Sequence, residues 1–182
     1  PFVSAGPGTG AHVLGAALVQ ASGGKGDAVH YKGSAVAIPD LIAGRVFFTT
    51  DAPGSIAGLI KEGKLVGLAV LSSKRIGVIP DVPTIEEAWS DGPEYFRQSR
   101  SVNIVILPSK APRDIAERLN AAINKAQTET SVRERLEKAG LVPRPAASLD
   151  QISQMLNRDI DDWTKVIRST GIRDAVKATI SN

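Results

Sequence analysis

The sequence contains no cysteine, which excludes disulfides, thiolate nucleophiles, zinc ribbons and iron–sulfur clusters. Histidine is nearly as scarce. The two present, His12 and His30, have no acidic partner at metal-ligand spacing, so no metal site is expected. Aromatic residues make up 4 % of the chain, which leaves thin material for stacking nucleic-acid bases. No apolar run approaches the ~18 residues that a membrane-spanning helix requires. Basic runs are missing as well: 22 Lys and Arg stand scattered against 19 Asp and Glu, for a net charge of +3. That balance favours anionic ligands mildly and falls short of a nucleic-acid face, so no nucleic-acid partner is expected. The sequence opens on Pro1 with no Met, charged leader or apolar signal core, and it reads as a processed or truncated product.

What the sequence has in plenty is turn residues, 17 Gly and 11 Pro among 182 residues, set between aliphatic runs. Such a composition suits an α/β fold. Phe2 to Ala5 reads as a strand end, Gly6 to Gly10 as a turn, and residues 11–20 as a helix; a second strand follows at residues 28–31. Ser34 is placed to cap a helix ending at Gly44, and residues 46–50 read as a third strand. A helix over 53–61 stops at Gly63, and the apolar run 65–71 reads as a strand buried on both faces. Alternating elements of this kind imply parallel strands with right-handed crossovers. Thr84 with Glu87 fits a capping box. After a strand at 102–107 the chain is almost all helix. Pro112 suits a first helical position, Ser131 with Glu134 and Ser148 with Gln151 fit further boxes, and a short strand is expected at 141–144.

Three loops carry candidate chemistry. In Gly6-Pro7-Gly8-Thr9-Gly10-Ala11-His12, glycines let a ligand approach the backbone, and the following helix start offers unpaired N–H groups to a carboxylate or phosphate at Gly8, Thr9 and Gly10. Thr9 either caps that helix or donates to the ligand, and His12 packs or bonds within the first turn. In Tyr31-Lys32-Gly33-Ser34, at the C-terminal end of a strand where parallel sheets place ligand loops, Lys32 either attracts an anion or stays solvated. In Thr49-Thr50-Asp51, Asp51 either fixes a ligand group or caps the helix entered through Pro53. Neither nucleotide loop signature is present, nor is a Gly-x-Ser-x-Gly elbow. No catalytic constellation exists, so the chain is not expected to be an enzyme, and no cofactor is implied.

Taken in order, Gly6 to His12, His30-Tyr31-Lys32-Gly33-Ser34-Ala35, Asp40-Leu41-Ile42-Ala43-Gly44-Arg45-Val46, Gly63-Lys64-Leu65 and Ile79-Pro80-Asp81-Val82-Pro83-Thr84 resemble the Bug family. These are extracytoplasmic solute-binding receptors of tripartite tricarboxylate transporters. The likeness extends through Leu119-Asn120 and Val132 to Leu136 as far as Trp163 and Gly171-Ile172. The resemblance implies a two-lobed flytrap of the periplasmic-binding-protein type that closes on a small carboxylate and delivers it to membrane permease subunits in the periplasm. Residues 1–101 would form the second ligand-binding lobe, and 102–182 the returning helical part of an incomplete first lobe. Gly8, Thr9, Gly10, His12, Tyr31, Lys32, Gly33, Ser34, Thr50 and Asp51 would line the ligand. The sequence departs from the family at His30, where Pro is common, and at Asp51-Ala52, where an Asp-Asn pair is usual. A small-molecule-sensing regulatory module remains the alternative, without a visible helix-turn-helix; an α/β enzyme is the weaker one. The apolar stripes of 109–182 are expected to seek a covering partner such as a second copy.

Overall fold

A computed structural model of the chain describes residues 1–98, 103–169 and 172–173. In chain order the elements are β1 (Phe2–Ser4), α1 (Gly10–Ala21), β2 (Ala28–His30), a single 3-10 turn Ser34–Ala37 leading into α2 (Ile38–Ile42), then α3 (Pro53–Lys61), α4 (Ile85–Ala88), α5 (Glu94–Gln98), α6 (Arg113–Ala126), α7 (Thr130–Lys138) and α8 (Leu149–Ser169). β1 and β2 run parallel, with Ser4 opposite His30 at their C-terminal ends. On the other side of β1, residues 46–48 run in the same direction. Phe47 donates its amide to the Pro1 carbonyl and Val3 donates to Phe48, both at 2.9 Å.

Burial explains this centre. All three residues of β1 are buried, as expected of a strand covered on both faces. The Phe2 ring stacks on Phe48 with centroids 5.2 Å apart. Helix α1 crosses it at Gly15, where an added Cβ would lie 2.4 Å from the Phe2 ring. Val3 meets Ala37 and Val46 on one side of β1. Ala17, deeper in α1, packs with Ile85 and Phe96.

Several expected strands are not strands. Residues 46–50 hydrogen-bond to β1 at two points but form no regular ladder. In 65–71, Val66 is 82 % and Leu68 69 % exposed while Val70 is buried, so the run is covered on one face at most. Only Val70 is paired, taking its bond from Ile85 and giving one to Pro83. Of the expected strand 102–107, Val102 lies outside the described residues, and Ile104 to Leu107 are exposed, Ile106 at 82 %. Leu141 and Val142 are likewise exposed, and no strand forms at 141–144. The reason is common to all four segments. Aliphatic composition favours extended backbone, but a strand exists only where a neighbour completes the ladder.

The helix ends follow local chemistry more closely. Thr84 and Glu87 form a complete capping box, and Ser148 and Gln151 exchange both bonds at the start of α8. At α7 the expected box of Ser131 and Glu134 does not form, because the helix starts two residues earlier, with Glu129 and not Ser131 at its N-cap. Pro112 sits at the N-cap of α6 rather than inside its first turn. Ser34 lies within the 3-10 turn and makes no capping bond.

The second half of the chain returns onto the first. Val166 of α8 and Ile172 pack with Val13 of α1, flanked by Trp163 and Tyr95. At a second point Gly54 of α3 meets the Ala139 carbonyl so closely that an added Cβ would lie 2.0 Å from its oxygen. α6 buries none of its residues. Gly15→Ala should destabilise the fold by ~1–3 kcal/mol, because the new methyl must displace a buried ring. Gly58→Ala, in α3 with open space around it, should add about 0.5–1 kcal/mol. Urea unfolding of both variants checks the contrast.

Candidate functional site

Parallel strands bring their C-terminal ends to one edge, so the loops after β1, β2 and residues 46–48 emerge side by side. The register ties the first two directly. Tyr31 donates its amide to Ser4 at 2.9 Å, and His30 Nδ1 lies 3.0 Å from the Ser4 hydroxyl.

The glycine loop is held by its own hydrogen bonds. Ser4 Oγ donates to the Gly6 carbonyl at 2.8 Å and accepts the Gly6 amide at 3.2 Å. Thr9 Oγ1 also donates to Gly6, at 2.8 Å, and accepts the His12 amide at 3.4 Å as the N-cap of α1. Thr9 is therefore the cap, and its hydroxyl proton is engaged inside the loop. The Gly8 amide donates to His12 Nδ1 at 3.0 Å, and the Thr9 amide reaches Gly6 at 3.3 Å. Within residues 6–12 only the amides of Gly10 and Ala11 meet no acceptor among the described residues. They point the start of a twelve-residue helix toward the loop, an arrangement that favours an anion. Ala11 was not singled out in the sequence. His12 is 5 % exposed and meets His30 edge-on at 4.9 Å. Burial, followed by the His30 ring, holds the His12 imidazole below its ordinary value.

The second loop is fixed at its start by a cluster absent from the sequence reading. Tyr31 Oη donates to Asp40 Oδ2 at 2.8 Å, while Arg45 Nε and Nη2 donate to Oδ1 at 2.8 and 2.6 Å. The Tyr31 hydroxyl first, and the Arg45 guanidinium next, hold the Asp40 carboxyl below its ordinary range. Bonding to Asp40 pushes the Tyr31 phenol up. Gly33 takes φ 104°, a conformation that side chains rarely adopt. Lys32 is exposed and makes no ion pair with a described residue, while Ser34 is half-buried.

In the third loop the Thr49 and Thr50 hydroxyls are buried without a partner among the described residues. Asp51 Oδ1 accepts the Ala52 amide at 2.7 Å. α3 has Ala52 at its N-cap and no side-chain cap, so Asp51 does not cap that helix. Among the described residues no group of three His, Asp or Glu is placed to hold a metal. A cleft of about 420 Å³ lies elsewhere, between α6 and residues 146–150. Its polar groups are engaged: Asn120 and Asn124 bond Ala147, and Arg113 pairs with Glu117 and Asp150.

The sequence pattern of the tripartite tricarboxylate transporter family receptor matches residues 1–172. The chain belongs to that family. It is 34 % identical over 167 residues to a protein from the tcbD–tcbE intergenic region of a Pseudomonas species, covering 91 % of this chain and 48 % of that one. With BugT of Bordetella pertussis it shares 31 % over 166 residues, covering 91 % and 49 %. The chain thus spans about half the length of these curated relatives. Among solved structures, R. palustris Rpa4515 with adipate matches at TM-score 0.77 and 25 % identity, over 93 % of this chain and 55 % of that one. MatC from Rhodopseudomonas palustris with bound malate matches at 0.73 and 27 %, over 91 % and 56 %. The fold is α/β of the periplasmic-binding-protein type, here with a small parallel sheet and many helices. In this receptor-family chain the Tyr31→Phe variant keeps the ring among Val3, Ala37 and Val46 and removes the main cause of the lowered Asp40 value. The Asp40 titration midpoint is expected to move up toward the ordinary 3.8, read by carbon-13 NMR. Stability supplied by this carboxylate is complete above its ordinary value and is lost as pH falls through the lowered one.

Proposed function

We propose that this chain carries ligand-gripping loops of a periplasmic receptor that captures a small carboxylate, without catalysing a reaction, and presents it to membrane permease subunits. The observation that carries this reading is the pair of amides, Gly10 and Ala11, and the Lys32 ammonium on the neighbouring loop at one sheet edge, none of them partnered by a described residue. Both are suited to an anion, and the Ser4 hydroxyl and the His12 imidazole beside them are engaged in holding the loop. Family membership and the likeness to R. palustris proteins named with adipate and malate support the same class of ligand. Gly8, Thr9, Gly10, His12, Tyr31, Lys32, Gly33, Ser34, Thr50 and Asp51 are the proposed lining, with Ala11 added. Within it, Thr9, His12 and Tyr31 hold the loops in shape, whereas Gly10, Ala11 and Lys32 meet the ligand.

The proposed division places the ligand lobe in residues 1–101 and the returning helices in 102–182. Such receptors gain affinity by burying the ligand between two lobes, so loops from one lobe bind weakly, with Kd in roughly the micromolar to millimolar range. Amide NMR with malate and with adipate tests this. Shifts should concentrate in residues 6–12 and 31–34 and shrink several-fold in Lys32→Ala. No shift with either acid, or shifts confined to the α6 cleft, would overturn the reading. For the chain by itself, a second copy is proposed to cover α6, where Ile115 and Leu119 are exposed. Light scattering is expected to show a dimer, and a stable monomer would remove that partner.

A further inference from the structure

The only two histidines of the sequence meet at the glycine loop, and hydrogen-bond chemistry fixes where the proton of His12 is. A backbone N–H can only donate, so His12 Nδ1, which takes the Gly8 amide, presents a lone pair, and the ring's proton sits on Nε2. Ser4 gives its single hydroxyl proton to Gly6. The same hydroxyl lies 3.0 Å from His30 Nδ1. The two rings therefore hold the loop from both ends, His12 at Gly8 and His30 through Ser4 at Gly6.

A second proton on His12 can go only to Nδ1, where the Gly8 N–H already points. The bond between them is then lost. Two donors, Gly8 N–H and Nδ1–H, are left without an acceptor in the chain, beside the open amides of Gly10 and Ala11. A carboxylate supplies that acceptor and the opposite charge. We propose that His12 is a positioning residue of this loop, locking the Gly8 amide while neutral, and that carboxylate capture is coupled to proton uptake on its Nδ1. The proposal rests on the carboxylate-receptor reading above.

The surroundings support the coupling. From β2 the only titratable group facing His12 is His30, and β1 presents the neutral Ser4. α1 has no acidic residue in its first turn and no basic residue in its last. On the Val13 face, α5 and α8 contribute the Tyr95 phenol and the apolar Trp163 and Val166. Burial first and His30 second lower the proton affinity of the ring in the ligand-free loop, and no described carboxylate is among the causes to offset them. A bound anion raises the ring's proton affinity, and by linkage the ring raises anion affinity as pH falls.

The test uses malate titrations from about pH 8 to pH 6, where its carboxyls stay ionised. The malate Kd should fall on acidification, by up to about tenfold per pH unit. Calorimetry in buffers of different ionisation enthalpy should show proton uptake. His12→Asn keeps an acceptor for Gly8 but does not titrate, so it should bind malate with the slope gone. In the ligand-free chain, the nitrogen-15 shift of Gly8 should follow the His12 ring titration. A flat Kd in the parent chain, or an undiminished slope in His12→Asn, overturns the coupling and leaves the receptor reading standing. Failure of malate and adipate to bind at any pH overturns that reading and the coupling with it. A Gly8 amide indifferent to the His12 titration overturns the lock whatever binds.

Discussion

The Phe2 ring lies between Phe48 and the bare backbone of Gly15, and the positions of all three site loops follow from that contact. Because the helix can approach only where no Cβ intervenes, α1 is fixed in height and angle over β1. Its N-terminus then falls beside the ends of the strands. Phe48 fixes the third segment against the same strand. Burial of one aromatic ring thus places a helix terminus and two loop exits together. A ring of that size contributes about 1.5–3 kcal/mol when fully buried, a large share of a typical domain's net stability.

The loop placed in this way is rigid for a different reason. Four of the six amides in residues 6–12 have an acceptor within the chain, so the two that remain open are defined by exclusion. Such preorganisation lowers the ordering cost when an anion arrives. The Tyr31, Asp40 and Arg45 cluster does the same for the neighbouring loop by fixing its start, although its members are exposed enough that solvent weakens each pair. The overall charge of +3 is too small to act at a distance. Local amide dipoles and Lys32 supply the attraction.

Most helices and some of their caps were legible in the sequence because they depend on neighbours three or four residues away. Thr9 before α1, Thr84 with Glu87, and Ser148 with Gln151 are all of this kind, whereas the caps expected of Ser34 and Ser131 do not form. Strands were legible only in part. The runs 65–71 and 102–107 have the composition of buried strands, but composition does not say which segment lies alongside. The glycine loop and its opening helix could be read directly, whereas the edge-on meeting of His12 and His30 could not. It follows from the Ser4 and His30 register, a pairing decided by β1 burial rather than by any local pattern. Asp40 and Arg45, on the two sides of a helix end, offered a charge pair at short range. Nothing nearby indicated that Tyr31 would join it.

The approach of Gly54 to the turn after α7 has a consequence for how the sequence can vary. A Cβ on Gly54 would strike the Ala139 carbonyl, and one on Gly140 would come within 2.7 Å of the Gly54 nitrogen. Gly140 also takes φ 73°, which bars most side chains independently of space. The two glycines, far apart in the chain, occupy one crowded spot with no side chain that could rotate aside. A methyl at either position has to be accommodated by backbone from the other half of the chain. Relatives that keep this crossing should therefore keep both glycines, and those that lose one should show a compensating shift in the loop bearing the other.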